Sequence, residues 1–458
     1  MIIKATLSDV LTIRSNHHEY QPIPFNFIEQ KISPFAARLS SQRHVMAVRD
    51  GFISAMPFMI VGSFLLVFVH PPFSPESSWG FARSWLALSA KYEVQILTPF
   101  NMTMGIMSIY IAASIAYNLA RSYKLDPFMT AMLALMSFLL VAAPQVDEKM
   151  STVALGGVGI FTAILVAIYV TELTRLLKKY NIGIHLPEQV PSNIKHSFDL
   201  LIPIIAVVVT LFPLSLLVQS GFDMLLPQAI MALFEPLISA ADSLPAVLLA
   251  VLICHLLWFA GIHGSAIVSG MLQAFWLTNL GLNQTDLAAG LPMTHIMTEA
   301  FWNFLIVIGG SGATIGLVLL FCRSKSAHLR TMGKLSLVPS CFNINEPVIF
   351  GTPIVMNPVF FIPFLLAPMV NAVIAYTAVK TDLLPHMISL VPWTSPAPIG
   401  AAWAMGWDFK VSILVVMLMA LSMVIYYPFF KVYEKQLLTQ EKAAEPEEVF
   451  TEKADAAQ

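Results

Sequence analysis

Uncharged apolar stretches recur along the chain at 52–69, 98–120, 127–146 and 154–171, and a fifth runs from about 200 to 220. Further ones lie near 244–262, 300–322, 355–379, 384–407 and 411–430. A helix needs about 20 such residues to cross the hydrocarbon core, so the pattern predicts an all-α polytopic membrane protein with about ten transmembrane helices. Ahead of the first stretch, residues 25–50 ("FNFIEQKISPFAARLSSQRHVMAVRD") alternate apolar and basic positions at helical spacing. That alternation predicts an amphipathic helix lying at the cytoplasmic interface.

The texture changes near residue 220. Up to that point the apolar stretches are clean and the loops short. From 221 onward they are broken by Gly, Pro and Asn, in "GIHGSAIVSG" (261–270), "GGSGATIG" (309–316), "NINEPVIFGTP" (343–353) and "PWTSPAPIG" (392–400). Non-helical backbone at membrane depth is tolerated only where protein buries it or a watery cavity adjoins it. The second half is therefore expected to carry re-entrant hairpins and a solute site.

Composition agrees, with 57% hydrophobic and 11% charged residues against about a quarter charged in ordinary soluble chains. The net charge of −2 offers no basic excess for nucleic acid. Placement of charge says more than its sum. Lys31, Arg38, Arg43 and Arg49, then Arg121 and Lys124, then Arg175, Lys178, Lys179 and Lys195 all fall on one side if the spans alternate. Residues 323–334 and the stretch from Lys431 join them, which predicts cytoplasmic N- and C-termini. The loops 70–97 and 147–153 are poorer in Lys and Arg and read as external. Cys254, Cys322 and Cys341 form neither a disulfide framework nor a zinc spacing. No removable leader is expected in residues 1–24, and 436–458 read as an acidic solvated tail.

Glu346 is the single charge between Lys334 and Lys380. A carboxylate at membrane depth costs several kcal/mol unless it is used or partnered. Asn343 and Asn345 flank it, on a turn that Pro347, Gly351 and Pro353 keep from regular helix. Such a cluster suits a neutral polyol, which needs several donors and acceptors rather than net charge. The competing role is structural, with the carboxylate capping a broken helix end. His263 stands between Gly261 and Gly264, which allow close approach of backbone or ligand. His255 has no such setting and reads as structural or interfacial. Trp393 offers a stacking surface for a sugar ring, or equally an interfacial anchor, and Asn101 and Thr103 are polar positions in an apolar span. No P-loop, HExxH, GxSxG or dinucleotide fingerprint is present. Energy for transport would then come from an ion gradient or from another protein.

The segments "NINEPVIFGTPIVMNP" (343–358), "GIHG" (261–264) and "SQRHVMAVRDGFISAMPFMIVGS" (41–63) closely resemble the membrane-spanning IIC component of the bacterial phosphoenolpyruvate-dependent sugar phosphotransferase system, lactose/cellobiose/chitobiose family. The resemblance runs from about residue 26 to 435, and residues 1–24 look like an extension. It implies a homodimer in the bacterial cytoplasmic membrane, surrounded by lipid, with an interfacial half at 51–220 and a transport half with the sugar site at 221–435. It implies that Glu346 and His263 contact the hydroxyls near the phosphorylated position, while Asn345, Gly264 and Trp393 line the site, beside the Asn343 and Asn101 picked out above. It also implies a separate cytosolic IIB protein bearing a phosphocysteine, fed by IIA, HPr and enzyme I, so that this chain is the sugar-binding, non-autonomous part of a phosphotransferase and needs no cofactor. No cysteine here has the setting expected of a fused IIB domain. The competing expectation is an ion-coupled sugar transporter in which Glu346 carries a proton.

Overall fold

A computed structural model describes residues 41–444, apart from 72, 74–75, 147–148, 185–197, 199, 353 and 356, together with residue 38. The extension at 1–24, most of the amphipathic segment before residue 41, and the tail from 445 lie outside the described residues. What is described is mostly helical; the strands β1 (Gln145–Val146) and β2 (Lys149–Met150) form one small antiparallel pair.

The first group of helices is α1 (Arg43–Val69), α2 (Gly80–Asn101), α3 (Met107–Ser122), α4 (Pro127–Ala142), α5 (Ile160–Lys179), α6 (Leu201–Phe222) and α7 (Leu226–Ala241). Their starts follow local chemistry. Gln42 Oε1 accepts the Val45 N–H at 2.8 Å to cap α1. Asp126 does the same for the Met129 N–H at 3.0 Å, with Pro127 at the first helical position of α4. The buried faces of α1, α3, α4 and α5, including Phe52, Ile111, Phe138 and Val166, form a hydrophobic core with small buried hydroxyls such as Ser108, Ser137 and Thr171 set among it.

The second group is α8 (Leu244–Phe259), α9 (Gly264–Ala288), α10 (Ile315–Cys322), α11 (Ala327–Cys341), α12 (Glu346–Gly351), α13 (Pro358–Lys380), α14 (Ala397–Ala404) and α15 (Phe409–Ala444). Its core gathers Trp276, Phe304, Phe321, Phe360 and Tyr426. Helix α9 belongs to both, because Ala274, Leu277 and Leu280 face the first core while Val268 and Trp276 face the second. The two groups are also tied by hydrogen bonds. The Leu390 N–H donates to Ser63 Oγ at 3.0 Å, and Ser389 Oγ donates to the Ser63 carbonyl at 3.1 Å.

Among the described residues, six helical stretches are long and apolar enough to cross a membrane, or seven if α7 and α8, inclined at 72°, make one span. The apolar pattern predicts ten. The difference has a physical source. Segments 127–146, 244–262, 300–322 and 384–407 are apolar enough, but their helices are short or broken, with 16 residues in α4 and in α8 and 8 in α10 and in α14. Conversely, the stretch 70–97, read as an external loop, is helical from Gly80 and kinks at Tyr92.

Candidate functional site

A cavity of about 470 Å³ opens where the N-terminal part of α1 meets the start of α9 and the irregular segments around 310, 345 and 393. Its walls include His263, Asn343, Asn345, Glu346 and Trp393, so five of the seven sequence candidates meet there.

The wall around residues 309–314 has no regular helix. Gly309, Gly310, Gly312 and Ala313 all hold positive φ, and their peptide groups find partners in side chains from four directions. Asn343 Oδ1 accepts the Gly309 N–H at 2.9 Å, and its Nδ2 donates to the carbonyls of Trp393 at 2.8 Å and Ser395 at 3.2 Å. Asn345 Nδ2 donates to the Ser311 carbonyl at 2.6 Å and to Thr314 Oγ1 at 2.9 Å. His255, deep in α8, accepts the Gly312 N–H at 2.8 Å on Nε2 and places Nδ1 2.7 Å from the Val251 carbonyl. Tyr426 donates its hydroxyl to the Gly312 carbonyl at 2.7 Å. Gly310 also makes room, since a Cβ there would stand 2.3 Å from Asn345 Cγ. Each side chain satisfies backbone groups that a low-dielectric interior would otherwise leave bare. The two asparagines thus spend their amide N–H groups on the frame and hold the cavity's shape.

Glu346 and His263 are different. Their side chains are 46% and 54% exposed to the cavity, and Nε2 of the ring lies 3.9 Å from Glu346 Oε1. His263 caps α9, its Nδ1 accepting the Ala266 N–H at 3.1 Å. With Nδ1 acting as acceptor, the neutral ring carries its proton on Nε2, facing Glu346. Trp258 backs the ring at 4.3 Å between centroids. Glu346 is the first residue of α12, followed by Pro347. A donor and an acceptor therefore stand side by side at the cavity, close enough that one hydroxyl lying beside the pair reaches both.

Gly264 is placed by packing. A Cβ there would sit 1.9 Å from the Cys254 carbonyl oxygen, so α9 can start this close to α8 only without a side chain; the residue does not line the cavity. Asn101 ends α2, outside the lining residues, and Thr103 donates to the Pro99 carbonyl at 2.7 Å. Trp393 is 45% exposed and presents its indole to the opening.

Three lining residues carry no signal that sets them apart in the sequence. Glu299 accepts a hydrogen bond from Gln273 Nε2 at 2.6 Å, but it closes a mixed segment, "MTHIMTE" (293–299), just ahead of the apolar stretch from 300, where a carboxylate reads as an ordinary flanking residue. Arg49 sits within the basic stretch ahead of α1. Gln273 lies in α9, whose buried positions include polar residues as well as apolar ones.

Residues 49–368 match the family described as "Phosphotransferase system, EIIC". The lichenan permease IIC component of Bacillus subtilis (strain 168) is 34% identical over 437 residues, covering 91% of this chain and 95% of that one. The lactose-specific EIICB component of Staphylococcus aureus (strain COL) is 36% identical over 423 residues, covering 90% of this chain and 73% of that one. The crystal structure of the transporter ChbC, the IIC component of the N,N'-diacetylchitobiose-specific phosphotransferase system, superposes with a TM-score of 0.83 at 34% identity over 91% of this chain and 99% of that one. With the family match spanning most of the chain and relatives of 34–36% identity aligned over about nine-tenths of it, this protein belongs to the phosphotransferase system EIIC family of membrane sugar permeases.

Proposed function

We propose that this permease takes up a β-linked disaccharide or β-glucoside of the cellobiose, chitobiose or lactose class and presents one of its hydroxyls for phosphorylation on the cytoplasmic side. The observation that carries this is the Glu346–His263 pair, open to the cavity and close enough together for one hydroxyl beside them to bond both. The sugars after which the relatives are named, lichenan, lactose and N,N'-diacetylchitobiose, support the class.

The chemistry follows from the side chains. His263 Nε2–H donates to the sugar oxygen and Glu346 accepts the hydroxyl hydrogen, which fixes the hydroxyl in line with an incoming phosphoryl group. A phosphocysteine on a separate IIB protein, recharged through IIA, HPr and enzyme I, supplies that group. As the S–P bond breaks and the O–P bond forms, the hydroxyl proton passes to the Glu346 carboxylate and the IIB thiolate leaves. Trp393 stacks on the C–H face of a ring, and the two asparagines keep the irregular wall in shape.

The same reading supplies the rest of the architecture: ten spans counting broken and re-entrant ones, both termini cytoplasmic, and a homodimer in the bacterial cytoplasmic membrane. Residues 51–220 form its interfacial half and 221–435 its transport half. Support comes from the two cores, the first of which reaches past residue 220 to take in α7 through Leu226 and Ile238, and from the run of left-handed backbone at 309–313 in the second.

The test uses inverted membrane vesicles with radiolabelled β-disaccharides, the soluble phosphotransfer proteins and phosphoenolpyruvate. Sugar phosphate forming only with phosphorylated IIB is the expected result. Accumulation of unmodified sugar under a proton gradient would overturn the proposal.

A further inference from the structure

Phosphoryl transfer brings a group of about two negative charges into a cavity that already holds the half-exposed carboxylate of Glu346. Like charges at short range in a poorly solvated site repel strongly. Among the described residues that line this cavity, one carries a permanent positive charge, and it is Arg49. It belongs to α1 and not to the wall that holds Glu346 and His263. Its stem runs across Gly270 of α9, with Cδ 3.7 Å from where a Cβ would stand, which holds the head group at the cavity edge. The guanidinium is paired to the neighbouring Asp50, through Nε at 2.9 Å and through an Nη nitrogen at 2.7 Å. Both side chains are more than a third exposed, so the pair is screened and readily exchanged.

Resting on the group-translocation reading above, we infer that Arg49 is the phosphoryl-binding residue: its guanidinium leaves Asp50 and takes two phosphoryl oxygens as the phosphoryl group passes from the donor sulfur to the sugar hydroxyl held by Glu346 and His263. A planar fork of N–H donors matches a phosphate edge, and such charge-assisted pairs outlast a solvated Arg–Asp contact. The charge it offers grows in value where the Glu346 carboxylate otherwise repels the incoming group. Asp50 then acts as a placeholder, keeping the guanidinium extended and solvated until phosphate arrives. Because Arg49 stands on α1 while the hydroxyl is held on α9 and α12, transfer is possible only when the second group of helices lies against the N-terminal end of α1, as it does here.

The full-length protein in lipid nanodiscs is titrated with cellobiose, lactose and N,N'-diacetylchitobiose, each with and without a phosphate. Arg49→Gln is expected to weaken binding of the phosphorylated sugar by about tenfold while the free sugar changes by less than about twofold, with Arg49→Lys in between. Asp50→Asn, which releases the guanidinium, tightens the phosphorylated sugar. Affinity of the wild type for the phosphorylated sugar falls with added salt, and that dependence flattens in Arg49→Gln. Equal losses for free and phosphorylated sugars, or no phosphorylated sugar binding the wild type, would overturn the inference. If Arg49→Gln fails to fold, Asp50→Asn decides, and unchanged affinity for the phosphorylated sugar there is also fatal. In vesicles, Arg49→Gln lowers turnover and spares KM for the sugar. A wild type that makes no sugar phosphate refutes group translocation, while the binding titrations still judge Arg49.

Discussion

The two cores solve the same problem in different ways. In the first, α1, α3, α4 and α5 are largely regular helix and pack mainly through apolar side chains such as Phe52, Ile111 and Phe138, all essentially inaccessible, while buried hydroxyls such as Ser137 and Thr171 donate to carbonyls one turn back. In the second, the chain leaves the helix at 307–314, 342–345 and 381–396, and Asn343, Asn345, His255 and Tyr426 replace the lost hydrogen bonds one by one. Regular helix is self-sufficient in lipid but leaves no room, whereas broken helix leaves room and requires a buried polar frame to exist. The cavity lies against that frame, and the pair left outside it, Glu346 and His263, remains available for a ligand.

This contrast can be broken at several points. The largest effect is expected from Glu346→Gln, which keeps shape and removes the proton acceptor: sugar phosphate formation in vesicles falls by about 10²–10⁴-fold, with the oligomeric state on a sizing column unchanged. Next is Phe138→Ala in the apolar core, expected to cost about 3–5 kcal/mol of stability. Thermal unfolding should record that loss while the sugar affinity of the surviving fold stays put. Asn345→Leu attacks the polar frame instead, leaving the Ser311 carbonyl without its donor at a cost of about 1–3 kcal/mol. There both unfolding temperature and sugar affinity should drop together, and an intact affinity would argue that the frame does not shape the site. Trp393→Ala should weaken sugar binding by roughly 1 kcal/mol, about fivefold by titration, without moving the unfolding temperature. Asn101→Ala is the smallest, with uptake and affinity within about twofold of the wild type, since the residue stands off the cavity.

Much of this was readable from single residues. Glu346 stood out because nothing else charged lies near it in sequence, and the Gly, Pro and Asn interruptions marked the irregular segments. His255 could be set aside for lack of flanking glycines, and its ring indeed serves two backbone groups. What escaped did so for physical reasons. Arg49 sits in a basic run typical of a membrane flank, and only the approach of α9 to α1 makes it part of the cavity. Glu299 is masked by its place at the flank of an apolar stretch. Gly264 looks the same in sequence whether it admits a ligand or a helix, and here it admits α8. Helix α2 hid behind Arg83, Lys91 and Glu93, which on an apolarity scale turn a helix into a loop.

Ser63 adds a matter of timing. Its hydroxyl is buried in α1, and the N–H it accepts belongs to Leu390, 327 residues later. At about 5–20 residues per second of synthesis, that interval is some tens of seconds. The first helices therefore stand in the bilayer with this part of the seam unclosed until most of the chain has emerged, so closure of the two groups is a late step of biosynthesis.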